Sequence, residues 1–402
     1  MNTSYGHSNR AAFLKAFKGR RVLFITRFYL YPLHTGALQY SHNLIEAVAS
    51  SAQSVTVVCA EDERHRHFDA DLSPANAEFL TFKAIAPSKF MRLLSASPYS
   101  TAPFDHSRGH EAVRRALATS PDIAVIDHVG ASWAASLLPD RLPLVYCTHN
   151  DEAATRLSIA RESRGVGRLA HFLDAWKIWR RDRSLCKRAA MVTAICKADC
   201  EVMQRRYAMS GCTILHPCWR GSIPDLVNLD DAPRSVLLLG SLLWSAKKRN
   251  LKRFLDVNLD ALSDAGVGVI VAGRAEQRFI EQLRDRYPAA TFVGEVDSER
   301  MALERARIGI IYGEAGGGFR LTGLTFSMHG LPIAARPALI DDLGLTPSED
   351  FLAVPHDDQI AETVIQAIDD PTRLSRMRAQ ARAKVAERFA EPKLTDECMT
   401  HV

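Results

Sequence analysis

Long apolar runs are missing from this sequence. No stretch reaches the ~18 to 20 residues that a bilayer-spanning helix needs, and the segment from Met1 to Arg21 has no apolar core of the secretory-leader kind. The expected location is the cytoplasm, with room for peripheral contact at the inner face of a membrane. Cysteine is also scarce: eight among 402 residues are too few for a disulfide framework. Most sit in apolar stretches such as Val57-Val58-Cys59 and Val145-Tyr146-Cys147, where they read as small buried hydrophobes in a reducing compartment. Cys212, His216 and Cys218, with Cys196 and Cys200 upstream, contain no tight C-x2-C pair, so a buried strand and its turn is the reading rather than a metal site. No metal and no cofactor are expected.

A large net charge is missing too. Lys and Arg number 51 and Asp and Glu 46, so the net charge is +5, a mild bias with no accompanying aromatic-basic motif. A nucleic-acid partner is therefore not expected. What is present is core material: 47% hydrophobic and 24% charged residues exclude long disorder and collagen, and the length suits two or three domains. The cations do concentrate once. Between Arg156 and Arg188 there are about ten Lys/Arg against about three Asp/Glu, with Trp176 and Trp179 interleaved. Two readings fit this segment, a solvated helix face or an interfacial helix touching anionic lipid.

Along the chain, short apolar runs alternate with helical patterns. Residues 21–26 read as a buried parallel strand, followed by a loop with Pro32 and Gly36, a helix from about Gln39 to Ser50 and a second strand at Val55 to Ala60. The theme returns at Ile123 to Asp127, with a helix near Ser132 to Leu138, then at Leu144 to Thr148 and Met191 to Ile195, with a helix through Met203. Residues 61–110, holding Pro74, Pro87, Pro98 and Pro103, read as an insertion with helical pieces. Residues 221–234 carry Pro224, Pro233 and Asp230-Asp231 without a helical period, and make the linker.

The rhythm then restarts. Strands are expected at Val236 to Gly240, Val267 to Ala272, Thr291 to Val293, Ile308 to Tyr312 and Leu331 to Ala335. Helices are expected at Leu251 to Leu262, Arg278 to Tyr287 and about Leu321 to Met328, the last ending at Gly330, with a helical tail from Asp357 to about Phe389. The class is α/β, with two doubly wound halves whose strand ends face each other across a cleft.

Four segments can carry chemistry. Gly313-Glu314-Ala315-Gly316-Gly317-Gly318-Phe319-Arg320 lies between a strand and a helix. Its three consecutive glycines allow close backbone approach, the helix start offers N–H groups to an anion, and Arg320 can hold a phosphate with a planar fork. Gly36 opens a helix after the first strand, which fits either a phosphate-facing backbone or an ordinary turn. Thr148-His149-Asn150-Asp151-Glu152 follows a strand; His149 suits proton transfer, while Asn150 or Asp151 suits a helix cap. Asp127-His128 ends the preceding strand on the same edge, within reach of an acceptor hydroxyl. Gly240-Ser241 with Lys247, Lys248 and Arg249 fits either a diphosphate counter-charge or a solvated run.

Together these residues resemble the GT-B glycosyltransferases, in particular the retaining enzymes grouped as family 4. The resemblance runs through Val22-Leu-Phe-Ile-Thr-Arg27 with Pro32 and Thr35-Gly36, Thr148-His149-Asn150, Gly240-Ser241 with Trp244, and Glu314-Ala-Gly-Gly-Gly-Phe-Arg320-Leu. It continues in His329-Gly330-Leu-Pro332-Ile and the tail after Asp370-Pro371. It implies two Rossmann-like domains: residues 1–228 for the acceptor, 229–385 for a nucleotide-sugar donor, with 386–402 as a tail. It implies a metal-independent hexosyl transfer to a saccharide or lipid-linked acceptor, in surface polysaccharide or glycoconjugate biosynthesis. By position it makes His149 catalytic. It gives Gly36, Arg320 and Lys247 or Lys248 to the donor; the reading of the residues themselves adds Gly316, Gly317, Gly318 and Thr325 to the donor, and Asp127 and His128 to the acceptor.

The sequence departs from that pattern twice. Many relatives have a Lys two residues after the position of Arg320 and a Glu five before the glycine of Gly330-Leu-Pro; here Thr322 and Thr325 stand there. That Glu usually grips the donor ribose, and a Thr hydroxyl supplies one bond where a carboxylate supplies two. The alternative function is accordingly a degenerate, non-catalytic GT-B protein that binds a sugar nucleotide or a partner transferase.

Overall fold

The computed structural model describes residues 4–31, 36–61, 73–88, 91, 95–219, 222–296, 298–313 and 318–390. The chain divides into two compact units, Met1–Pro217 and Cys218–Val402.

The first unit is built on seven strands: β1 (Arg21–Phe28), β2 (Ser54–Glu61), β3 (Ala77–Lys83), β4 (Ile123–Asp127), β5 (Leu144–Cys147), β6 (Met191–Ala194) and β7 (Thr213–Ile214). Their order is β3-β2-β1-β4-β5-β6-β7, and every pairing is parallel. All five residues of β4 are buried, as expected of a strand with helices on both faces. Each such Val or Ile contributes about 1.5–3 kcal/mol by leaving water. β3 is a correction to the helical insertion expected at 61–110: its exposed and half-exposed residues mark a sheet edge, and the helix Ser107–Ala118 follows it. The helix expected near Ser132 is a tight 3-10 run, Val129–Leu137.

The second unit holds β8 (Ser235–Leu239), β9 (Gly268–Ala272), β10 (Ala290–Gly294), β11 (Ile308–Ile311), β12 (Ile333–Ala335) and β13 (Leu352–Ala353). Their order is β10-β9-β8-β11-β12-β13, again all parallel. In each sheet the order reverses once, between β1 and β4 and between β8 and β11, which is where an open α/β sheet opens a crevice at its carboxyl edge.

The unit boundary lies earlier than the expected 228/229, and the reason is packing. Val227 N–H donates to His329 O at 2.9 Å, Arg378 donates to Val227 O at 2.7 Å, and Trp219 N–H donates to Phe389 O at 2.7 Å. The expected linker is thus bound along the second unit. The tail expected from 386 begins inside the helix Pro371–Phe389, whose last residue is buried against Phe319.

Gly309 in the middle of β11 sets the site that follows. A Cβ there would run into the Phe326 ring, so the glycine lets the helix Leu321–His329 lie close on the strand. Gly330 closes that helix with φ +68°, as its expected cap role requires.

Candidate functional site

Chemistry collects at the switch point of each sheet. In the first unit Asp127, the last residue of β4, is fully buried and accepts three hydrogen bonds. Its Oδ1 lies 2.6 Å from His149 Nε2, and its Oδ2 accepts from Thr26 Oγ at 2.9 Å and Ser41 Oγ at 2.5 Å. Burial pushes the carboxyl up, but His149 and the two hydroxyls outweigh it, so the group titrates below its ordinary value. A carboxylate only accepts, so His149 presents Nε2–H to it. The opposite nitrogen, Nδ1, is buried and has no hydrogen-bond partner among the described residues.

His128 is held differently. Its backbone sits at φ +73° and ψ 147°, a region nearly reserved for glycine and costing roughly 1–3 kcal/mol. Gly130 N–H donates to its Nδ1 at 2.8 Å, and Nε2 lies 3.0 Å from Glu152 Oε1. Burial and then the charge of Arg27 push the His128 ring down to about 4, so it is neutral near pH 7. Glu152 is held below the usual carboxylate range: burial opposes this, and His128 and Arg27 outweigh it. The structure thus holds the expected Asp127 and His149 in one buried hydrogen-bonded group with Thr26 and Ser41, and the expected His128 with Glu152 in a second, the His128 and His149 rings meeting edge-on with centres 5.2 Å apart. Gly36 opens the helix Gly36–Ala49 that delivers Ser41 to the first group. Asp151 caps the helix Glu152–Glu162 through Ala154 N–H at 2.9 Å.

In the second unit a pocket opens where β8 and β11 end. Gly240, Ser241, Lys247, Tyr312, Arg320 and Thr322 line it, with Asn250 at its wall. Gly240 is pressed against Gly273, where any Cβ would meet its carbonyl; both glycines have positive φ, 147° and 136°. Burial and then the nearby charge of Arg320 push the Lys247 ammonium down to about 8. An ammonium whose hold on its proton is weakened by a neighbouring guanidinium in one concave site is arranged for an anion. Arg320 also stands at the start of the helix Leu321–His329, where backbone N–H groups add positive potential.

Six of the expected donor residues fall into three groups. Lys247 and Arg320 share this pocket, with Gly318 two residues before Arg320 at φ +93°. Lys248 turns away, with Nζ 3.0 Å from Glu276 and 4.9 Å from the Phe279 ring centre. Gly316 and Gly317, with Glu314, lie outside the described residues.

Thr325 is buried one turn beyond Thr322, and it has a neighbour that sequence reasoning missed. The short helix Glu299–Leu303 packs on Leu321–His329 and brings the exposed Glu299 carboxyl to the Thr325 hydroxyl. Surrounding protein atoms push this carboxyl above its ordinary value, and the hydroxyl pulls the other way. A carboxyl group therefore lies beside Thr325, contributed 26 residues upstream.

No protein-family model matches the chain, and no curated protein matches its sequence. Solved structures match in three dimensions. HepE from Anabaena, crystallised with UDP and glucose, has TM-score 0.63 and 15% identity over 92% of this chain and 96% of that one. Sucrose-phosphate synthase from Thermosynechococcus elongatus has TM-score 0.66 and 15% identity over 92% and 95%. WaaG, described as a glycosyltransferase involved in lipopolysaccharide biosynthesis, has TM-score 0.63 and 15% identity over 92% and 96%. At this identity the likeness defines the fold: the chain has the GT-B fold.

Proposed function

We propose that this chain transfers a hexosyl group from a nucleotide-sugar donor to a saccharide or lipid-linked acceptor, in surface polysaccharide or glycoconjugate biosynthesis. The observation that carries the reading is the Lys247–Arg320 pair in the pocket at the β8/β11 switch point. As the glycosidic bond to the diphosphate breaks, negative charge grows on the departing phosphate. Two fixed cations and a helix start stabilise it where it grows, with little reorganisation. They supply the counter-charge a divalent ion supplies elsewhere, so transfer is proposed to be metal-independent.

In the first unit Asp127 fixes the ring orientation and tautomer of His149, the residue proposed to act beside the transferred sugar. A melting-temperature panel of UDP, GDP, ADP and their sugars would identify the donor by mass action. A labelled-sugar transfer assay with excess chelator would then test the reaction. Donor binding without transfer to any saccharide or lipid-linked acceptor would favour the non-catalytic alternative.

In this reading Glu299 and Thr325 take the ribose diol. Glu299→Gln is expected to weaken UDP binding by roughly tenfold, the scale of one hydrogen bond to a charged group. It should leave 2′-deoxy-UDP nearly unchanged, so the two ligands converge. Calorimetry on both ligands decides this, and an undiminished preference for UDP in the variant removes Glu299 from the site.

A further inference from the structure

The helices Glu152–Glu162 and Gly165–Arg188 are joined by Ser163 and Arg164 and pack against each other as a hairpin. The longer helix buries one side, including Asp174, Ile178, Asp182 and Leu185. On the other side Val166, Leu169, Phe172 and Trp176 are 79%, 69%, 36% and 50% exposed. Arg180, Arg183 and Lys187 continue the same three- and four-residue spacing and are exposed as well. One face therefore carries an apolar half near the hairpin's connection and a cationic half beyond it.

The charge on that helix is one-sided. Its two carboxylates are both inside: Asp174 pairs with Arg156 at 3.1 Å and Asp182 accepts from Tyr146. The charged groups it exposes are cations. Guanidinium groups also lie over the rings, Arg168 at 5.6 Å from Phe172 and Arg180 at 4.8 Å from Trp176. Arginine over an aromatic ring brings positive charge to the level at which an amphipathic ring meets water.

We propose that this face docks on an anionic lipid bilayer. The Val166–Trp176 half, ~15 Å long at 1.5 Å per residue, enters the boundary between headgroups and acyl chains. Arg180, Arg183 and Lys187 rest on headgroup phosphates. An apolar stripe plus a cationic cluster supplies the two signals that stable peripheral binding takes. The exposed face offers no carboxylate of its own, so it matches a uniformly negative surface better than a protein surface of mixed charge. No helix of the described residues is long and apolar enough to cross a membrane, so this one lies on the surface. The proposal is independent of the donor reading, since the hairpin helix holds no residue assigned to donor binding.

The experiment is co-sedimentation of the full chain with vesicles of phosphatidylcholine alone and of phosphatidylcholine with phosphatidylglycerol, across a salt series. Binding is expected on the mixed vesicles only and should weaken as salt rises. Leu169→Asp with Trp176→Asp should abolish it. Arg180→Gln, Arg183→Gln and Lys187→Gln together should lower affinity on the order of a hundredfold and flatten the salt dependence. All five positions are exposed, so unchanged melting of each variant verifies its fold. Wild-type protein left in the supernatant with mixed vesicles overturns the proposal. So does a Leu169→Asp, Trp176→Asp variant that still sediments, or a wild-type dimer that this variant dissolves and vesicles leave intact.

Discussion

Arg320→Ala is expected to lower kcat/KM for transfer by roughly 10²–10³-fold, the range found when one preorganised donor to a developing anion is removed. The expectation rests on placement. Arg320 lines the pocket with Lys247 and stands at the helix start, so its loss removes a planar, always-charged fork from the phosphate. A second consequence separates this role from general damage to the fold. Burial and the Arg320 charge together hold Lys247 down to about 8, so donor binding by the wild type should weaken as pH rises through that value. Removing Arg320 removes one of those two causes, and the Lys247 ammonium should then survive to higher pH. The variant is therefore expected to bind its donor more weakly at neutral pH and to show its alkaline loss of binding at a higher pH. Donor titrations of both proteins between pH 6 and 10 measure this. An unchanged alkaline edge would separate Arg320 from Lys247, and undiminished turnover would take Arg320 out of the phosphate site.

The alternation of strand and helix was legible because strands buried on both faces are continuous apolar runs. Ile123–Asp127 and Leu144–Cys147 needed nothing but their own residues to be found. β3 was missed because Ala-Glu-Phe-Leu-Thr-Phe-Lys is an edge strand with mixed exposure, set among prolines. β7 and β13 have two residues each and produce no periodic signal. At the site, Asp127 and His149 were legible as lying on one edge because consecutive strands that are parallel neighbours end together, but their hydrogen bond to each other was not. Thr26 and Ser41 were not, because a hydroxyl aimed at a carboxylate has no sequence signature. Lys247 and Lys248 looked equivalent in sequence. On a helix they point about 100° apart, and only the fold shows that one lines the pocket while the other meets Glu276. Glu299 beside Thr325 was beyond reach, since β11 and its following loop separate them in the chain.

Asp182→Asn is expected to be close to neutral at pH 4 and to stabilise the protein by up to roughly 4 kcal/mol at pH 8. Asp182 is buried on the hairpin's long helix, where its oxygens accept from Tyr146 at 2.5 Å and Tyr207 at 3.2 Å. Burial pushes the carboxyl up to about 7; the two tyrosine hydroxyls oppose this, and Asp151 and Glu152 reinforce it. In the unfolded chain the group returns to its ordinary 3.8. Between those values the folded protein keeps a proton that the unfolded chain has lost. The contribution is thus fully present below about 3.8 and is lost as pH rises through 7, and about three pH units at 1.36 kcal/mol each set its size. Asparagine carries one acceptor and one donor group, as the protonated acid does, but cannot ionise. His128 acts with the opposite sign. Held down to about 4 from an ordinary 6.5, it contributes stability above pH 6.5 that is lost as pH falls through 4. The two slopes partly cancel in the wild type, so the quantity to read is the difference between variant and wild type. Urea unfolding at pH 4, 6 and 8 gives that difference directly. It should grow with pH, and wild-type and variant curves that stay parallel across the series would show that Asp182 is already ionised in the folded core.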